Sequence, residues 1–195
     1  MAKKIPSSTQ VVKETLASGI TLITEAMPQV RSVAIGVWLK RGSRHEPEDR
    51  AGISHFIEHM VFKGTKTRSA EVIASQVDSI GGHMDAFTAK EYAAFHLKVL
   101  DQHLPTAVEI LGDIVLNPLF DAAEMTKEKK VIFEEMGMVE DTPDDLIHDL
   151  YAERFWQGHS LGWSILGPSE TIKSMSRERV LGYFREKYAP HSVFI

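Results

Sequence analysis

Alternation of apolar and polar side chains marks Val33 to Leu39, and a three-to-four-residue rhythm takes over beyond Gly52. Val11 to Thr15 and Ile20 to Glu25 read as two strands turned at Ala17-Ser18-Gly19, and Val33 to Leu39 as a third. A charged loop follows from Lys40 to Arg50. Ser69 caps a helix that runs to Ile80 and stops at Gly81-Gly82; strands near His83 to Phe87 and Tyr92 to Leu100 come next. Leu104 to Leu116 is an amphipathic helix ended by Asn117-Pro118, and Asp121 to Val139 is another. Pro143 starts a helix reaching about Phe155, and Ser176 to Lys187 forms the last. Tyr188-Ala189-Pro190-His191 then leads into the apolar Ser192-Val193-Phe194-Ile195, where a further strand begins. Strands come in groups instead of repeated βα units, so the fold class is α+β.

The chemistry of the chain concentrates in His55-Phe56-Ile57-Glu58-His59. On a helix at about 100° per residue, His59 falls about 40° from His55, Glu58 about 60° to the other side, and Phe62 about 20° away. Ile53, Phe56, Ile57, Met60 and Val61 gather on the opposite side. The helix therefore buries one face and turns both imidazoles and a carboxylate to a cavity or a second element. Two neutral imidazoles plus one more carboxylate make a three-ligand zinc site with a position left for water, and Glu58 is placed as the general base. The plain alternative is a solvated polar face, so a third ligand decides between them.

The Asp121 to Val139 helix offers one. Met125, Ile132 and Val139 share an apolar stripe, and Glu128 and Glu135 lie within about 40° of it, whereas Glu134 projects to the far side with Lys127 and Lys130. Buried carboxylates without partners cost several kcal/mol, so that face calls for a cation or for donors. Glu135 is the expected third ligand, with Glu128 in an electrostatic role beside the metal or its histidines. The competing reading is that both pair with an Arg or Lys in the core.

Composition changes this picture only at the margins. With 195 residues, 43% hydrophobic and 25% charged, the chain has enough apolar surface for one large domain. A net charge of −5 argues against nucleic acid as a partner and is compatible with basic peptides. There is no cysteine, which excludes disulfides and thiolate ligands. Met1 to Gln10 are polar and no run approaches a membrane span, so the expected location is cytoplasmic with no membrane partner.

The segment from Gly52 to Thr65 resembles the active-site stretch of the pitrilysin-type inverzincin peptidases, closest to bacterial members like the mitochondrial processing peptidase. Gly81 to Glu91 resembles that family's downstream substrate-strand segment, and Leu161 to Pro168 a later family stretch, so the similarity runs from about Val11 to the last residue. The resemblance implies a mixed, mainly antiparallel sheet with helices on one face. It implies zinc on His55, His59 and Glu135, Glu58 as the base, and Glu128 as a supporting acid. Manganese or cobalt suits the same nitrogen and oxygen donors in vitro.

The same resemblance implies an endopeptidase acting on extended peptides, basic ones among them. Asp85, Ala86 and Phe87 match the strand edge that holds peptide backbone, with Asp85 standing where asparagine is usual. Phe62 matches an apolar position beside the scissile bond. Asp145 and Asp149 match acids that recognise a substrate arginine, and their i, i+4 spacing lets both face one guanidinium; an ordinary acidic helix surface is the competing reading. Family members carry a second, similarly folded half without the metal motif. The expectation is therefore a single metal-binding half domain over 1–195, cut at its C-terminal end and weak or inactive alone, whose partners are peptide, the second half or a homologous subunit, or a further copy of itself. The other function class is a noncatalytic scaffold subunit.

Overall fold

The computed structural model describes residues 11–189 and 192–195; the polar leader Met1 to Gln10 and the residues Pro190 and His191 lie outside them. Six strands form one sheet: β1 (Val11–Thr15), β2 (Thr21–Glu25), β3 (Ser32–Leu39), β4 (His83–Thr88), β5 (Ala93–Leu100) and β6 (Val193–Phe194). Their order is β1-β2-β6-β3-β5-β4, with every pairing antiparallel except the parallel pair β2 and β6. The seven helices among the described residues are α1 (Ile53–Val61), α2 (Ala70–Ser79), α3 (Leu104–Leu116), α4 (Ala122–Asp141), α5 (Pro143–Phe155), α6 (Ser169–Ser174) and α7 (Arg177–Lys187).

Register sorts the strand residues onto two faces. Val33, Ile35, Val37 and Leu39 of β3 stand opposite Val99, Leu97, Phe95 and Ala93 of β5, and this face packs into the core with α1 and α3. The other face carries Trp38, His96, Lys98 and Phe87, with Trp38, Phe87 and Tyr92 edge-on or tilted to one another. The fold is the expected α+β sheet with helices on one face.

Helix α1 is held from behind. Ile53, Phe56, Ile57, Met60 and Val61 are all 0% exposed, each contributing about 1.5–3 kcal/mol of burial. Its N-terminal residue, Gly52, has φ +91°, and a Cβ there would meet the Leu166 carbonyl oxygen at 2.5 Å. Gly167 faces it with φ +72°, and a Cβ on that residue would meet the Ala51 carbonyl oxygen at 2.2 Å. Two glycines thus let the Leu161 to Pro168 stretch cross directly over the start of α1.

Elements and expectation differ in several places. The Lys40 to Arg50 loop contains two short 3₁₀ turns, Ser43–His45 and Glu48–Arg50. Helix α6 has six residues, too few to display a periodic stripe, and the sequence reading passed over it. Helix α4 continues two residues past Val139 to Asp141.

Candidate active site

His55, Glu58 and His59 project from the half-buried face of α1 while α4 packs alongside. His55 Nε2 lies 3.7 Å and His59 Nε2 3.5 Å from the same atom, Glu135 Oε2. Donors on a tetrahedral zinc with bonds near 2.0–2.1 Å stand about 3.3 Å apart, so the three atoms are spaced for one ion. Each of the three residues offers a ligand atom, and these atoms all lie within 4.8 Å of one another. Among the described residues, the buried Glu135 Oε2 has no hydrogen-bond partner and lies near two imidazole nitrogens. The donor set fits a divalent cation of zinc type.

Protonation favours the same reading for His55. Burial, with the neighbouring His59 second, pulls its pKa down to about 4, so the ring is neutral with a lone pair available. On His59, Nδ1 lies 3.1 Å from Glu128 Oε2, an arrangement in which a protonated Nδ1 leaves Nε2 facing Glu135. Glu128 is 5% exposed, and its other oxygen, Oε1, lies 2.7 Å from Lys63 Nζ. Glu128 thus stands within ion-pair distance of both a half-buried lysine and an imidazole. Lys63 lies in the turn just past the C-terminal end of α1.

Glu58, in the field of His59 and Glu135, also reaches strand β4. Thr88 Oγ1 donates to its Oε2 at 2.5 Å. Burial raises the Glu58 pKa, with that hydrogen bond and the His59 charge opposing and Asp85 and Glu135 reinforcing. Thr88 escaped the sequence reading, although alternation along β4 places it with Met84 and Ala86 on the helix-covered face.

The remaining candidates are more dispersed. Phe62 ends α1 half-buried against the core. Asp85 is exposed and its Oδ1 accepts the Ala86 N–H at 2.8 Å; Phe87 joins the aromatic group on the open sheet face. Strand β4 lies at the end of the strand order and bonds only β5, so its outer edge is free among the described residues. Asp145 is exposed on α5, and Asp149 lies half-buried in the field of Lys90, so the structure does not give the two aspartates one shared cation. Asp149 also lines a cavity of about 470 Å³ with Met136, Val139, Leu146, Leu150 and Trp163.

A single-sheet α+β domain presenting an inverted His-x-x-Glu-His helix against a glutamate-bearing helix is the framework of a zinc-protease-like domain. Residues 21–169 match the family described as insulinase, peptidase family M16, and the chain belongs to that family. It is 46% identical over 185 residues to an uncharacterized zinc protease, YmxG, of Bacillus subtilis (strain 168), covering 95% of this chain and 45% of that protein. Among solved structures it superposes on a protease from Helicobacter pylori with a TM-score of 0.90 at 21% identity, over 96% of this chain and 45% of the other. A peptidase M16 inactive domain from Pseudomonas fluorescens has the same fold, with a TM-score of 0.88 at 16% identity over 95% of this chain and 45% of that one. The chain spans under half the length of the relatives it matches.

Proposed function

We propose that this chain is the metal-holding half of a zinc endopeptidase that cleaves extended peptides. The observation carrying the proposal is the convergence of His55 Nε2, His59 Nε2 and Glu135 Oε2, with Glu58 held by Thr88 at its side. Zinc on those three atoms would acidify the attacking water and polarise the scissile carbonyl. Glu58 takes the water's proton and delivers it to the leaving amine, a task suited to a carboxylate whose pKa burial has raised. Glu128 keeps the His59 ring turned to the ion, and Phe62 borders the scissile bond.

Peptide binds by adding a strand to the free edge of β4, where backbone bonds along Asp85, Ala86 and Phe87 supply affinity and alternate side chains select sequence. Asp145 and Asp149 receive a basic side chain. The half that the longer relatives carry, or a homologous subunit, closes over this edge, and turnover by the 195-residue chain alone is low because water is not excluded. Naming of the relatives as zinc proteases supports the enzymatic reading. A second reading, a noncatalytic subunit, draws support from the inactive domain that shares the fold.

Glu58→Gln in the full-length protein tests the choice. The expected result is zinc in both proteins and peptide cleavage reduced by about 10²–10⁴-fold in the variant. Cleavage at the parental rate removes Glu58 from the mechanism, and a parent that binds zinc but cleaves nothing with its second half present favours the noncatalytic subunit.

A further inference from the structure

Helix α1 starts on a glycine, which has no side chain to satisfy the first N–H groups of the helix. A carboxylate from outside the helix does so instead. Gly52 N–H donates to Glu46 Oε2 at 2.7 Å and Ser54 N–H to Glu46 Oε1 at 2.8 Å, and the receiving side chain is 5% exposed. A buried acid here costs desolvation, and burial is the first cause of its raised pKa; the two backbone donors and the positive end of the helix offset that cost.

Glu46 is itself tied to the substrate-edge strand. It closes the 3₁₀ turn Ser43–His45, whose Ser43 N–H donates to the Ala89 carbonyl at 3.1 Å and Arg44 N–H to the Lys90 carbonyl at 2.9 Å. Those carbonyls immediately follow Thr88, the partner of Glu58. One short path thus links the end of β4 to the first turn of α1.

The two histidines differ in how they are held. His59 has Glu128 on its second ring nitrogen. His55 has nothing there: its Nδ1 is buried without a partner among the described residues. Its placement against Glu135 therefore depends on the backbone that carries it, and the residue before it is Ser54, whose N–H Glu46 holds.

We infer that Glu46 is a positioning residue of the metal centre: by clamping Gly52 and Ser54 it sets the axial position of α1 and so the fit of His55 to the ion. This rests on the zinc-holding reading of His55, His59 and Glu135. Glu46→Gln keeps the shape but replaces one acceptor oxygen with an NH₂ group that cannot accept an N–H, so one of the two amides loses its partner.

The test measures zinc affinity by chelator competition in the full-length protein for the parent, Glu46→Gln, Glu46→Asp, and the buried-core controls Ile114→Val and Ile114→Ala. The controls bracket the loss of thermal stability far from the metal. Expected is at least a tenfold weaker zinc affinity in Glu46→Gln, in the range for outer partners of metal ligands. Cobalt(II) bound to that variant should show displaced visible absorption bands, whereas the Ile114 variants bind zinc like the parent at equal or greater loss of Tm. Glu46→Asp retains the charge with a shorter reach and falls between them, which keeps the test decisive should Glu46→Gln fail to fold. Parental affinity and spectrum in the Glu46 variants, or an affinity that falls in step with Tm in the Ile114 controls, overturns the inference alone. A parent that takes up no zinc overturns the underlying reading and this inference with it.

Discussion

Helices α1 and α5 both carry ionisable side chains four residues apart, His55 with His59 and Asp145 with Asp149, yet they are opposites in setting. Six of the nine residues of α1 are buried, and none of the thirteen in α5 is. The α1 pair meets a glutamate from α4 at 3.5–3.7 Å. Among the described residues the α5 pair shares no ion partner, and beside it Ile147, Tyr151 and Phe155 stand 58%, 64% and 62% exposed. Equal spacing thus becomes a preorganised centre only where the rest of the helix is packed in place.

The largest expected effect belongs to the anchored pair. His59→Ala should weaken zinc binding by more than about 100-fold, beyond the range for outer partners alone; retention in chelator competition would dissolve the contrast between the helices. Glu128→Gln comes next, with zinc affinity lower by about 10–100-fold, because His59 loses its carboxylate and Lys63 its ion partner. Thr88→Val deletes one hydrogen bond to a charged group, roughly 1.5–3 kcal/mol, so kcat should fall about tenfold or more with zinc content unchanged. A rise in KM alone would show that Thr88 serves substrate binding instead.

The far end of α1 supplies a pH prediction. Asp113 on α3 is desolvated, which raises its pKa, but donors from Thr65, Thr67, Arg68 and Asn117 outweigh burial and hold it at about 2. The unfolded group, near 3.8, takes up protons first, so this stabilisation is complete above about pH 4 and lost as pH falls through about 2. Denaturant titrations should show that loss in the parent, and Asp113→Asn should be less stable at neutral pH with the acid-dependent part reduced. Smallest of all, Asp145→Asn and Asp149→Asn should leave stability within about 0.5 kcal/mol and raise KM less than tenfold for an arginine-containing peptide. They should leave a neutral peptide unaffected. An equal effect on both peptides would detach these aspartates from recognition of charge.

The candidate metal face was legible from two patterns: His55, Glu58 and His59 share one polar face opposite the apolar side of their helix, and Glu128 and Glu135 sit beside an apolar stripe that demands compensation. Strands β3 to β5 were legible for the same reason, since alternation survives wherever one sheet face is buried. Glu46 was not, because a carboxylate that caps a helix from six residues upstream leaves no periodic trace, and the loop around it reads only as charged. Thr88 had a usable trace in the β4 alternation. Helix α5 has no fully buried residue, so Pro143 and its length announced the helix, while the role read for Asp145 and Asp149 rested on their spacing and on resemblance.

Strand β6 enters between β2 and β3, pairing Phe194 with both Thr21 and Trp38. Among the described residues, the β1-β2 hairpin therefore joins the remaining sheet through residues far along the chain, at 193–195. During synthesis that hairpin must wait, tethered but undocked, until residue 195 has left the ribosome, and its exposed edges are then the segment for which a chaperone or a second nascent chain would compete.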